Sequence, residues 1–171
     1  MRLRTVVMAA LLTLVGLPRA AAPGQRPERQ HDVLVPGLHV RLREGWEMFV
    51  SNGCRYAVPA TWRPTPDRSR ARAPDGNSIS LWTLRVTNWA QRRSQLKVAY
   101  SADGRVREDS DARLWIESKA GKPARHFVAV SDSVVACAAV LEIQNAGAIA
   151  EGDVETIVES VGPAHWTTDF K

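Results

Sequence analysis

The chain has 171 residues, of which 44% are hydrophobic, 24% charged and 6% aromatic, with a formal net charge of +5. Eleven glycines and ten prolines are too few for a collagen-like or low-complexity chain, and no heptad run or repeat of about 20 to 50 residues is present. One ordinary globular domain remains.

Arg2 and Arg4 precede an apolar run from Val6 to Leu17, and Ala20, Ala21 and Ala22 supply a small-residue cleavage site. This is the pattern of a secretory signal peptide over residues 1–22. The apolar run is shorter than the roughly 20 residues that cross a bilayer, so no transmembrane segment is expected after processing. Removal of residues 1–22 takes away Arg2, Arg4 and Arg19, leaving 149 residues and a formal charge of +2. Such a modest charge gives no support to a nucleic-acid partner. Export also makes the two cysteines, Cys54 and Cys137, candidates for a disulfide. Two separate buried thiols are the alternative, because Cys137 lies in the apolar run from Val134 to Leu141.

Residues 23–36 are rich in Arg, Gln and Pro at their start and read as a flexible leader, with a single domain over 37–166 and a short tail over 167–171. Leu38, Val40 and Leu42 alternate with polar residues, a strand period. Ser51, Asn52 and Gly53 form a turn signal, and Tyr56 to Trp62 reads as a strand in which Pro59 must occupy an end, edge or bulge. Arg68 to Ala73 reads as a short extended tract between proline-rich turns. In Ser78 to Val86 the apolar set changes phase, which implies a bulge or a strand covered on both faces.

Asn88 with Gln91 predicts a capped helix carrying Trp89, Leu96 and Ala99 or Tyr100 inward and Arg92, Arg93 and Lys97 in solvent. Strands are expected at Arg105 to Glu108, Arg113 to Ser118, His126 to Val130 and Val134 to Ile143, the last two joined at Ser131-Asp132-Ser133. A final helix holds Val154, Ile157, Val158 and Val161 at helical spacing, with Asp153 as N-cap and Gly162-Pro163 as the stop. This order specifies an α+β protein, an antiparallel sheet with helices packed on it.

Tyr56-Ala57-Val58-Pro59 followed by Trp62, then Ala73-Pro74-Asp75-Gly76 leading into the strand at Ser78, resembles the opening of the PsbP-like superfamily. The middle helix, the strand meander and the closing helix ending at Glu159-Ser160-Val161 are similar in order to that layout, over roughly residues 50 to 165. The resemblance implies an α/β/α sandwich acting as a non-catalytic scaffold for other macromolecules. It brings no catalytic residue to carry over, and binding surfaces differ among members, which include photosystem subunits and periplasmic lipoproteins.

No motif fixes a reaction. His31, His39, His126 and His165 lack zinc-ligand spacing, so neither a metal nor a cofactor is expected. Glu108, Asp109 and Asp111 read as solvated charges, and Ser131-Asp132-Ser133 as a turn. Two features suit binding. Arg68, Arg70 and Arg72 on an extended chain would share one side at about 6.7 Å intervals, able to grip phosphate or carboxylate. Among the tryptophans, Trp46 and Trp62 are candidate contact residues. The reading is an exported, non-catalytic binding or structural module, monomeric by default, docking a protein or an anionic envelope component. The alternative is a small secreted hydrolase with a site assembled from distant residues, such as His126 with an unpaired carboxylate.

Overall fold

The computed structural model describes residues 30–35, 38–118, 123–132 and 134–165, with only the backbone described before Leu42. The signal peptide at 1–22, residues 23–29 of the leader, Trp166 and the tail at 167–171 lie outside these residues.

Strands β1 (Gln30–Val35) and β2 (Leu38–Arg43) form a two-stranded antiparallel sheet, with Val33 opposite Val40. The leader expected to run irregularly to residue 36 is thereby corrected. Its last residues are the β-prone Val33-Leu34-Val35, and Pro36-Gly37 is a turn dipeptide in the sequence.

A three-stranded sheet follows, in the order β12 (Gly162–Pro163), β4 (Cys54–Pro59), β3 (Trp46–Ser51). Strand β3 was not legible as a strand, because Met48 and Phe49 are buried side by side and break the alternation. Gly53, at a φ of +76°, follows Asn52 at +50° in the β3–β4 turn, a left-handed conformation that glycine and asparagine tolerate best. Pro59 ends β4, consistent with its missing donor.

The main sheet has seven strands: β5 (Arg63–Pro64), β6 (Arg70–Arg72), β7 (Ser78–Leu84), β11 (Ala136–Ile143), β10 (Ala124–Ser131), β9 (Arg113–Ser118) and β8 (Gly104–Asp109), all neighbours antiparallel. On one face, helix α1 (Trp89–Ser101) covers β8, β9 and β10, burying Leu96 against Leu114, Ile116, Phe127 and Ala129. On the other, the three-stranded sheet and helix α2 (Glu151–Ser160) bury Tyr56, Val58, Val154 and Ile157 against Ile79, Val128 and Leu141. The protein is thus α+β. The phase change in β7 comes from cover on both faces, since its pairing with β11 runs without a register shift.

The disulfide Cys54–Cys137 exists, with Cα atoms 5.7 Å apart, and joins the small sheet to the middle of the large one. Asn88 caps α1 as expected, accepting from the Gln91 amide at 3.0 Å. Asp153 does not cap α2. The helix begins two residues earlier at Glu151, so Asp153 falls in its first turn, where a negative charge favours the helix dipole. Arg93 and Lys97 are not merely solvated: both pair with Asp109 of β8, at 3.3 and 2.7 Å. The Lys97 bond holds the Asp109 carboxyl below its usual range. Among the described residues, no helix is long and apolar enough to cross a membrane.

Candidate functional site

Two of the concavities among the described residues lie on opposite faces of the main sheet. The first, of about 420 Å³, opens between β8–β10 and the start of α2. His126 and Glu117 are directly opposite across β10 and β9, so the sheet brings the candidate histidine to a carboxylate. The carboxylate is not unpaired. Arg107 reaches Glu117 at 3.2 Å and Glu155 at 3.7 Å, while its guanidinium lies 5.1 Å above the Trp115 ring. Trp115 donates its indole N–H to His126 Nδ1 at 3.3 Å, which leaves the neutral ring's proton on Nε2. The ionisable residues lining this cleft are Arg107, His126 and the three carboxylates Glu117, Glu151 and Glu155, with no Ser, Thr, Cys, Lys or Tyr. The carboxylate that strand register sets opposite His126 is thus held in an ion pair with Arg107, beside the Trp115–His126 hydrogen bond.

The Ser131–Asp132 turn is also structural. Asp132 Oδ1 accepts from the amides of Val134 and Val135, each at 2.7 Å, and the Ser131 hydroxyl donates to the Asp132 carbonyl at 2.9 Å. Its other carboxylate oxygen meets His165 Nε2 at 2.6 Å. Ser133 lies outside the described residues.

The second concavity is a groove of about 610 Å³ on the α1 face, beside the C-terminal end of the helix, whose Tyr100 lines it. Arg63, Arg70, Arg72 and Arg125 line it, with Glu142 as its one carboxylate. Strand pairing explains the convergence. Arg63 is opposite Arg72, Arg72 opposite Ser78, Ser78 opposite Glu142, and Glu142 opposite Arg125. One row perpendicular to five strands thus carries three arginines. Arg70 begins the next row, opposite Ser80, which is opposite Val140. Alternation on β6 buries Ala71 and exposes Arg70 and Arg72. Arg125 bonds Glu142 at 3.0 Å, whereas no carboxylate among the described residues pairs with Arg63, Arg70 or Arg72.

Arg68 does not share that side. It sits in the β5–β6 turn at a φ of +56°, because Asp67 shapes the turn rather than extending it. Asp67 accepts from the Thr65 hydroxyl at 2.6 Å and from the Ser69 hydroxyl and amide at 2.8 and 3.2 Å. These bonds, led by Thr65, hold the Asp67 carboxyl down to about 2. The extended tract therefore begins at Arg70. Trp62 is 5% exposed and belongs to the core, while Trp46 is half-buried and packs against it. Neither lines either concavity.

Arg63 and Arg125 were missed in the sequence because only strand register brings them beside Arg70 and Arg72. Arg55 was missed as well: it is 1% exposed on β4, and burial lowers its guanidinium to about 10. Among the described residues no group of three or more potential metal ligands occurs.

No family model and no curated protein matches the chain. Among solved structures it is similar to cyanobacterial PsbP (CyanoP) from Synechocystis sp. PCC 6803, in a solution structure. The two share 10% identity and a TM-score of 0.40 over 70% of this chain and 92% of that one.

Proposed function

We propose that this protein is an exported, non-catalytic binding module that takes an anionic group of its partner into the arginine groove. The observation that carries the reading is the excess of cation there: four guanidiniums converge on one sheet face against the single carboxylate of Glu142. Arginine forks hold carboxylate and phosphate oxygens bidentately, and a concave setting shields those bonds from salt better than a flat surface does. The basic, apolar and small-residue succession over residues 1–22 supports export, as does a disulfide with both cysteines fully buried. The opposite cleft supports a non-catalytic reading, since Trp115 occupies His126 Nδ1 and Arg107 pairs with Glu117 and Glu155.

Elution from phosphocellulose tests the groove. Arg70→Ala/Arg72→Ala should elute at distinctly lower salt than the parent. Arg85→Ala/Arg105→Ala, which removes the same charge from exposed positions outside the groove, should elute close to it. Equal shifts for the two variants would reduce the groove to general surface charge.

A further inference from the structure

We infer that the ligand of the arginine groove is an anionic saccharide, its carboxylate or phosphate held at the β5–β6 end and a neighbouring sugar ring lying toward α1. This rests on the anion-binding reading of the groove. The two ends of the groove differ in chemistry. At one end Arg63, Arg70 and Arg72 stand together at the sheet edge, Arg63 and Arg72 as a cross-strand pair. At the other end stand Tyr100, Glu142 and Arg125. From β6 to β10 the row crosses three strand spacings, about 14 Å. A single small anion at the edge cannot touch the far end, so a ligand using the whole groove is elongated.

The middle and far end suit hydroxyls and ring faces rather than further charge. The floor carries Ser78 and Ser80, both half-buried. Glu142 is fixed by Arg125 at 3.0 Å and is an acceptor for ligand hydroxyls. It would repel a second anion placed beside it. Tyr100 is 39% exposed yet held rigidly, its ring stacked on Phe127 with centroids 3.8 Å apart and planes 9° from parallel. An aromatic immobilised by a second ring loses little entropy when a sugar's C–H face packs on it. The volume of about 610 Å³ falls within the range of sites for compact ligands, roughly 300 to 1,000 Å³. An acidic peptide has the charge for the arginine end, but its repeating carboxylates would meet Glu142.

Calorimetric titration of the full chain with four probes tests the inference: cellobiouronate, a disaccharide with a carboxylate on one ring only, inorganic phosphate, cellobiose and hexaglutamate. Cellobiouronate should bind about tenfold or more tighter than each of the others. Tyr100→Ala should weaken cellobiouronate about five- to tenfold and leave phosphate unchanged. Ser78→Ala/Ser80→Ala provides a second reading that does not disturb the Tyr100–Phe127 stack, and should also weaken cellobiouronate selectively. Hexaglutamate or phosphate equalling cellobiouronate, or indifference of cellobiouronate to both variants, would overturn the saccharide assignment and leave the anion groove standing. Failure of all three anions to bind, or binding that survives Arg70→Ala/Arg72→Ala, would overturn both.

Discussion

Asn77 shows how one side chain can hold distant segments together. It is fully buried, and its Oδ1 accepts from the amides of Gln144 and Asn145 at 2.8 and 3.1 Å. Its Nδ2 donates to Asp75 Oδ2 at 3.1 Å and to the Asn145 carbonyl at 3.4 Å. The turn before β7 is thereby tied to the turn after β11, behind the strands that floor the groove. Asn77→Ala removes these bonds and leaves two amides lacking an acceptor. Both belong to exposed residues that water can partly serve, so the cost should be about 1 to 3 kcal/mol in total. Thermal unfolding should report it as a Tm lower by about 2 to 12 °C; an unchanged Tm would show that water replaces the amide fully. Nothing near Asn77 in the sequence announces this role, because its partners lie 67 and 68 residues away. Ser160 is similar: it accepts from the Ala57 amide at 2.7 Å, at 103 residues' separation.

At the scale of elements, the β5–β6 hairpin that presents Arg70 and Arg72 is organised by a carboxylate. The Asp67 carboxyl titrates near 2 in the folded protein against an ordinary 3.8. A depressed value means that the ionised form stabilises the turn. Its contribution is complete above about pH 4 to 5 and fades as the pH falls from 3.8 through 2. The Ser69 amide proton, which donates to Asp67, should follow an NMR titration with a midpoint near 2, and Asp67→Asn should abolish that titration. A midpoint at the ordinary carboxylate value would deny the turn its anchor. The elements themselves were mostly legible. Periodicity and capping chemistry gave α1, the apolar stripe of α2, and the strands from β8 to β11, because each depends on neighbours in the chain. Strand β3 and the true start of α2 were not, since burial of Met48 and the register of Glu151 are settled by tertiary packing. The groove was half legible: Arg70 and Arg72 follow from alternation on one strand, while Arg63 and Arg125 follow only from pairing across five.

For the molecule as a whole, the decisive joint is the Cys54–Cys137 bond, which closes a loop of 83 residues between the two sheets. Its contribution in the chain-entropy description is roughly 4 kcal/mol. The small sheet also adheres through apolar burial, with Tyr56 and Val58 fully enclosed, so the joint reinforces a contact that already exists. The groove lies on the opposite face of the main sheet. Its floor strands, β7, β11 and β10, are paired along seven or more residues each, and the stack of Tyr100 on Phe127 belongs to the α1 layer. Cys54→Ala/Cys137→Ala should therefore separate stability from binding. Urea unfolding should lose about 2 to 4 kcal/mol, while retention on phosphocellulose at a temperature where the variant remains folded should match the parent. Loss of retention alongside preserved secondary structure would mean that the small sheet sets the curvature of the arginine face, and that the two faces act as one device.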